Sequence, residues 1–214
     1  MTSHTIFLVR HGTTEWIEQG LVHGALDSPL SPFGQWEARQ AANALADRHI
    51  THIYTSPQGR AVQTAAAIAQ KFPSVPVTEL DGLREMGFGK MEGKRDIFKK
   101  VKRNPIALIF VGPLWLILLS LTGENKQALR TRVLKAWQYI LSTRPSGNIV
   151  VVSHALTLNT ILASLPCVEG VQKKKRYNLG ACSISRVMFD EKDHAVIVAI
   201  NDVSHLEDGH AHDH

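Results

Sequence analysis

Two short stretches of this chain are apolar at consecutive positions, with no alternation between apolar and polar residues. They are IFLV at 6–9 and IVVV at 149–152. A strand covered on one face alternates, whereas a strand of a parallel sheet is covered on both faces and is apolar throughout. Further strand-like runs lie at 52–55, 183–189 and 195–200. The chain therefore predicts a sheet whose central strands are buried on both sides.

Helical patterns lie between these strand-like runs. Apolar residues recur at helical spacing in three segments: Ala38, Ala41, Ala42 and Leu45; Ala61, Ala65, Ile68 and Ala69; and Leu129, Val133, Ala136, Trp137 and Ile140. The pairs Ser31-Pro32 and Ser56-Pro57 predict the N-terminal cap and first turn of the first two helices. Because strands and helices alternate along the chain, we expect an α/β domain with a mostly parallel central sheet.

The composition bounds the kind of partner. With 214 residues, of which 44% are apolar and 20% charged, the chain suits one globular domain with a substantial core. Its formal charge is +5, and the positive side chains are dispersed except at 99–103 and 173–176. This pattern favours small anionic molecules over nucleic acid as partners.

The cysteines and the N-terminal segment bear on the compartment. Cys167 and Cys182 lack the paired spacing of a metal site, so we expect neither a disulfide framework nor bound zinc. The segment MTSHTIFLVRHG has no basic segment, long apolar stretch or cleavage site, so we expect no secretion signal. Both features favour a reducing, cytoplasmic location.

Four basic or imidazole side chains follow three of the predicted strands. Arg10 and His11 come directly after the first strand, Arg60 follows the second, and His154 follows IVVVS. Sheets of this class bind ligands beyond the carboxyl ends of their strands. One such side chain alone is usually solvated or structural, but four at the same edge favour a shared site.

Arginine and histidine together suit phosphoryl chemistry. The planar guanidinium matches the oxygens of a phosphoryl group, and an unprotonated imidazole can attack phosphorus. Positive charges on Arg10 and Arg60 are expected to lower the pKa of His11 and keep it neutral. A departing oxygen also needs a proton, and Glu85, in the glycine-rich stretch LREMGFGKMEG, is the best candidate for the acid.

These residues lie in motifs that carry a family resemblance. The motifs are LVRHGTTEW at 8–16, GALDSPLSPFGQWEA at 24–38, YTSPQGRAVQTA at 54–65, LREMGFGKMEG at 83–93, VVVSHALTL at 150–158, and NLGACSISRVMFD with NDVSHL near the end. Over residues 5–98 and 124–207, the chain resembles the histidine phosphatase superfamily, in the branch similar to cofactor-dependent phosphoglycerate mutases.

The resemblance implies a three-layer α/β/α sandwich with the site at the strand ends, without a metal or another cofactor. It implies that His11 becomes phosphorylated and that Arg10, Arg60 and His154 bind the phosphoryl group. It also implies that Glu85 acts first as an acid and then as a base, so that His11, Glu85 and His154 form the catalytic set.

Three positions depart from the family pattern. Ile17 stands where asparagine is common and offers no hydrogen bond to a phosphate. Ala155 replaces the glycine that usually follows the second histidine, and Glu37 replaces a glutamine. The first two changes predict a weaker shell around the phosphate, and the third is expected to matter little.

The predicted organisation is one domain over residues 1–207, with an apolar, substrate-facing insert at about 99–123 and a histidine-rich tail at 208–214. Within 106–121, every residue except Gly112, Pro113 and Ser120 is apolar. A transmembrane helix is disfavoured because the run is short, is interrupted, and would separate two halves of one site.

A buried helical hairpin is the preferred interpretation of the insert. Three alternatives stay open: an apolar lid that selects phosphate esters with apolar leaving groups, peripheral membrane contact through the basic residues at 99–103, and burial against a second subunit of a homodimer. His210, His212 and His214 would bind a metal only opportunistically. His205 is expected to be structural, and 173–176 is expected to be a solvated loop unless it meets an acidic substrate.

These observations predict a phosphatase that hydrolyses small-molecule phosphomonoesters through a phosphohistidine at His11. One alternative is a mutase, which returns the phosphoryl group to a sugar acid. A second is a noncatalytic phosphate-ligand-binding protein or membrane-associated adaptor. The sequence does not name the substrate.

Overall fold

One mixed sheet forms the centre of the molecule. The computed structural model describes residues 4–95, 123–143, 146–189 and 194–207. The strands in this part are β1 (Thr5–Arg10), β2 (Ile50–Thr55), β3 (Val77–Glu79), β4 (Asn148–Ser153), β5 (Ile184–Phe189) and β6 (Ala195–Asp202). Their order is β3-β2-β4-β1-β5-β6. The first four are mutually parallel, whereas β5 runs antiparallel to both β1 and β6.

Helices pack on both faces of this sheet. They are α1 (Glu15–Gln19), α2 (Pro32–Leu45), α3 (Gly59–Ala69), α4 (Lys126–Thr143) and α5 (Ala155–Ser164). Short 3₁₀ turns lie at Asp81–Leu83 and Gly89–Met91. In the ranges that the structure describes, none of the helices combines the length and apolar character that a membrane crossing requires.

Alternate residues of β1 contribute to two separate cores. Ile6 and Leu8 pack in a cluster with apolar residues of α4 and α5. Phe7 and Val9 point the other way and pack with α2 and α3. All four are buried, and full burial of such a side chain is worth about 1.5–3 kcal/mol. The fold is therefore the three-layer α/β/α sandwich that was expected, and the unalternating apolar runs are explained by cover on both faces.

One of the two predicted helix caps is present. The Ser31 hydroxyl accepts a hydrogen bond from the Gly34 amide at 3.1 Å at the start of α2. The predicted cap at Ser56 is wrong, because α3 begins only at Gly59 and its N-cap residue is Gln58. The Ser56 hydroxyl lies 2.8 Å from His154 Nε2 instead. The Ser56 hydroxyl thus contacts a buried imidazole and does not cap α3.

The sequence analysis missed β3 and did not assign a direction to β5. The strand β3 has three residues, and Val77 within it is 46% exposed, so no apolar pattern marks it. The insert predicted at 99–123 falls outside the described residues except for its last position, and the tail at 208–214 falls outside them entirely.

Candidate active site

The ends of two neighbouring strands bring the two predicted histidines together. In the register of β1 with β4, Arg10 pairs with Ser153, so the residues that follow each strand are also neighbours. The His11 amide donates to the Ser153 carbonyl at 2.9 Å. The ring centroids of His11 and His154 lie 5.1 Å apart. The parallel pairing of the two strands therefore sets the distance between the rings.

The ring of His11 is fixed in one tautomer. Its Nδ1 lies 2.8 Å from the Gly12 carbonyl oxygen, which can only accept, so Nδ1 carries the proton and Nε2 has the free lone pair. Burial, followed by the positive charges of Arg60 and Arg10, holds the pKa of His11 well below its ordinary value of 6.5. The sequence analysis predicted the lowered pKa but credited the arginines alone, whereas burial is the larger cause.

Two glycines allow the loop after β1 to lie against helix α2. A Cβ atom on Gly12 would lie 2.6 Å from the Gly34 carbonyl oxygen. A Cβ atom on Gly34 would lie 1.8 Å from the Thr13 carbonyl oxygen. Both distances are too short for a real side chain, so Gly12 is required for this close approach.

Among the residues that the structure describes, Arg60 is the largest fully buried side chain, with an exposed fraction of 1%. Its Nη1 atom donates to the Leu26 carbonyl at 2.8 Å and to Asp27 Oδ1 at 2.9 Å, and Nη2 donates to the Gly24 carbonyl at 3.0 Å. The carboxylate of Asp27 compensates the buried charge. These bonds connect α3 to the loop that precedes α2 and hold the guanidinium plane in place.

The three predicted phosphate-binding side chains each keep one buried nitrogen atom that is not hydrogen-bonded. Among the described residues, no hydrogen-bond partner reaches Nε of Arg10, Nε of Arg60 or Nδ1 of His154. Leaving such a group unpaired costs about 1–3 kcal/mol. Two of the three side chains, Arg60 and Arg10, are also the charges that lower the pKa of His11, so the unpaired nitrogens lie in a positive environment that suits an anion.

The tautomer of His154 depends on its contact with Ser56. The Ser56 hydroxyl lies 2.8 Å from His154 Nε2, and its oxygen accepts from the Gln58 amide at 3.3 Å. Where the hydroxyl donates to Nε2, the neutral ring carries its proton on Nδ1, the atom that lacks a partner. Burial, followed by the charge of Arg60, keeps the pKa of His154 well below its ordinary value.

The carboxylate of Glu85 lies at the N-terminus of α5, the helix whose N-cap residue is His154. Its Oε2 atom accepts from the Leu156 amide at 3.1 Å. Its Oε1 atom accepts from the amides of Met86 at 3.0 Å and Thr157 at 3.3 Å. The first turn of one helix thus positions two of the three predicted catalytic side chains.

Arg132 of α4 holds the backbone of the loop that carries Glu85. Its guanidinium donates to the carbonyls of Gly82 at 3.0 Å, Arg84 at 2.7 Å and Glu85 at 3.0 Å. It also makes two bonds of 2.7 Å to the carboxylate of Glu124. A bidentate pair of this kind is geometrically specific. Nothing in the sequence distinguishes Arg132 from the other cations of its helix.

His23 is a third imidazole beside the site that the sequence analysis missed. Its ring centroid lies 6.5 Å from that of His11, and its Nε2 lies 2.8 Å from the Thr14 hydroxyl. Burial and then the charge of Arg60 lower the pKa of His23 to about 4. His23 follows no strand, so the reasoning from strand ends did not select it.

Gln58 was also missed, and it connects two loops of the site. Its side-chain amide donates to the carbonyls of Gly24 at 2.9 Å and Ala25 at 3.1 Å, and its Oε1 accepts from the Glu85 amide at 2.7 Å. Because these bonds join residues about thirty positions apart, only the folded chain identifies the role.

Glu37, which was expected to matter little, holds the loop that follows His11. It is buried, and its Oε2 accepts from the Thr13 amide at 2.6 Å, in the loop after His11. Burial raises the pKa of Glu37.

In the described part of the chain, no group of three imidazole, thiol or carboxylate side chains is arranged to hold a metal ion.

The chain is similar to known proteins over nearly its whole length. The model of the histidine phosphatase superfamily (branch 1) matches residues 6–203. A protein of Proteus mirabilis named probable phosphoglycerate mutase GpmB is 32% identical over 209 residues, with 95% of each chain covered. A putative phosphoserine phosphatase 2 of Hydrogenobacter thermophilus is 29% identical over 209 residues and covers 94% of this chain and 96% of its own.

A solved structure is similar to this chain in its overall fold. It is a phosphoserine phosphatase mutant from Entamoeba histolytica in complex with phosphoserine, and it matches with a TM-score of 0.72 at 26% identity. The match covers 95% of this chain and 99% of the other.

Proposed function

Because this chain belongs to the histidine phosphatase superfamily, we propose that it hydrolyses phosphate monoesters by passing the phosphoryl group to His11 and then to water. The observation that carries this proposal is a set of three buried nitrogen atoms that have no hydrogen-bond partner among the described residues: Nε of Arg10, Nε of Arg60 and Nδ1 of His154. With the proton of His154 on Nδ1, all three can donate to the oxygens of a phosphoryl group, and the free lone pair of His11 is available to its phosphorus.

In the first step, His11 Nε2 attacks phosphorus while the bond from phosphorus to the ester oxygen breaks. The carboxyl group of Glu85 gives its proton to that oxygen, so the alcohol leaves neutral. The guanidinium groups of Arg10 and Arg60 and Nδ1–H of His154 stabilise the charge on the transferring group. The products are phosphohistidine, the alcohol and a Glu85 carboxylate.

In the second step, the Glu85 carboxylate takes a proton from water, and the water oxygen attacks the phosphorus. The bond between phosphorus and Nε2 breaks, inorganic phosphate is released, and His11 is again a neutral base. Glu85 ends protonated, which restores the starting state.

The hydrogen bond from His11 Nδ1 to Gly12 supports the choice of Nε2 as the nucleophilic atom. The lowered pKa of His11 supports an unprotonated ring at neutral pH. Two similar proteins are named as phosphoserine phosphatases, one of them as putative. Their names support a small phosphate ester as the substrate class. The cytoplasmic location, the lack of nucleic-acid contact, the peripheral membrane contact and the homodimer stay predictions.

The test is release of inorganic phosphate from a panel of phosphomonoesters by the wild type and by His11→Ala. We expect release by the wild type, no release by His11→Ala, and radiolabelled phosphate on the quenched wild-type protein alone. Near-normal turnover by His11→Ala would overturn the mechanism. No release from any ester by the wild type would favour a noncatalytic phosphate-binding protein.

A second candidate is favoured by the relative named as a probable phosphoglycerate mutase. A mutase shares the first step but returns the phosphoryl group to the bound acid instead of water. The assay uses 3-phosphoglycerate with and without 2,3-bisphosphoglycerate as primer. We expect release of phosphate to exceed isomerisation, and primer-dependent formation of 2-phosphoglycerate would select the mutase.

A further inference from the structure

A second cavity lies outside the phosphate site, between helices α4 and α5. Its volume is about 470 Å³, within the range of about 300–1,000 Å³ that is usual for small-molecule sites. None of the residues predicted for catalysis or phosphate binding lines it. We call it the α4–α5 pocket.

The α4–α5 pocket begins one residue away from the proton donor. Met86 and Leu156 both line the pocket. Their amides donate to the two carboxylate oxygens of Glu85, at 3.0 Å and 3.1 Å. The alcohol part of a phosphate ester has to lie against the carboxyl group of Glu85 to receive its proton. The pocket is therefore placed where the remainder of a large alcohol would extend.

Part of the pocket wall is apolar. Met86 and Leu129 are buried core residues whose side chains contribute to the lining, and Leu156 and Ala163 extend the apolar surface along α5. Contact with this wall would remove apolar surface of a ligand from water. Such a wall favours an alcohol with an apolar body over a small polar one.

The rest of the lining is strongly basic. Lys126, Arg130, Lys175 and Arg176 all line the pocket, and all are exposed. Within the described residues, none of the four has a side-chain hydrogen bond or an ion pair, and no carboxylate lines the pocket. Arg132 on the same helix contrasts with them, because Glu124 neutralises it. Four uncompensated positive charges around one cavity attract an anion.

We propose that the α4–α5 pocket binds the leaving group of the substrate, and that the preferred leaving group combines an apolar body with a second negative charge. This inference rests on the proposed function and names its substrate class. It gives the basic residues at 175–176, expected from the sequence to be solvated, a role in substrate selection.

The test compares two esters with the same phenol and nearly the same shape. One is 4-[4-(phosphonooxy)phenyl]butanoate, and the other is its methyl ester, which lacks the second charge. Because the reacting bond is the same in both, the ratio of their kcat/KM values reports only recognition of the distal group. We expect the wild type to prefer the carboxylate by about tenfold, as for roughly 1.4 kcal/mol of differential binding, and to lose the preference at high salt.

The variant Lys126→Gln/Arg130→Gln tests the source of the preference. We expect the ratio to fall to about threefold or less, since each exposed charge contributes only a fraction of the total. Lys135→Gln is the matched control, because Lys135 is exposed on the same helix but does not line the pocket. It should keep the wild-type ratio.

The outcomes separate this inference from the proposed function. If turnover of both esters requires His11 but the wild type does not distinguish them, the pocket inference is overturned and the phosphatase stands. The same holds if Lys135→Gln lowers the ratio as much as the double variant does. If phosphate release persists in His11→Ala, the proposed function fails first, and the pocket inference fails with it.

Discussion

The phosphate site and the loop that carries Glu85 are built in different ways. At the phosphate site, His11 and His154 follow neighbouring strands, and backbone groups fix the His11 ring. The Glu85 loop is half-buried, and side chains from distant parts of the chain hold it: Gln58 from the start of α3, and Arg132 from α4.

This difference corresponds to the two parts of the proposed reaction, which are phosphoryl transfer and proton transfer. Phosphorus chemistry is the same for every ester, so its donors can be buried and fixed to the sheet. Proton transfer depends on the alcohol that leaves, and the proposed proton donor, Glu85, lies beside the α4–α5 pocket on a loop that side chains hold in place. Changes in the loop should therefore alter the response to the leaving group, whereas changes at the phosphate site should lower activity toward all esters.

Glu85→Gln should give the largest difference between leaving groups. We expect turnover of alkyl phosphates, whose alcohols have a high pKa, to fall by about 10²–10⁴, since an amide cannot supply the proton. Activated aryl phosphates should lose far less. The measurement is kcat/KM across a series of leaving groups. An equal loss for every ester would contradict the role of Glu85 as an acid.

Arg132→Met should give a smaller change of the same kind. Without the guanidinium, three loop carbonyls and the Glu124 carboxylate lose their partner, and the Glu85 carboxyl group is less well placed. We expect kcat for alkyl phosphates to fall by about tenfold, with little change in KM. The measurement is the same leaving-group series, with Lys135→Met as the control on the same helix.

A merely structural role for Arg132 predicts a different pattern. If Arg132 acts through Glu85, then Arg132→Met should cost little once Glu85→Gln is already present, because coupled residues are not additive. Full additivity in this double-mutant cycle, or an equal loss for aryl and alkyl esters, would show that the variant simply weakens the fold.

His23→Gln should give the smallest effect of these variants, and the effect should be on the free energy of unfolding. The pKa of His23 is about 4 in the folded protein and near 6.5 when unfolded, so between these values the unfolded chain binds more protons. The free energy of unfolding should therefore fall as the pH falls below about 6.5. Removing His23 should reduce that fall between pH 6.5 and 5.5 by less than about 1 kcal/mol. Urea unfolding at both values measures it, and identical slopes would refute it.

The sequence predicted the parts of the site that follow strands. A run such as IVVVS marks a buried strand, so the position of His154 at its end could be foreseen. Arg10 and His11 were found in the same way. The structure brings two of these side chains together, since 5.1 Å separates the rings of His11 and His154. Their assigned roles stay predictions.

The side chains that hold these groups could not be predicted. Gln58, Arg132 and Ser56 each make a hydrogen bond to a residue of the site that is 27 to 98 positions away. Such bonds leave no periodic pattern in the sequence. A serine before a proline usually caps a helix, and only the packed position of His154 shows why Ser56 does not. The preference of Ser56 for a helix cap was overridden by its contact with the buried ring of His154.

The contact between Gly12 and Gly34 links the shape of the candidate site to the packing of α2. Since neither backbone leaves room for a methyl group, the loop after β1 that carries His11 lies directly against the first turn of that helix. Under the proposed mechanism, turnover therefore requires α2 to be packed in this position. A folding intermediate in which α2 has not yet packed would then have no phosphatase activity.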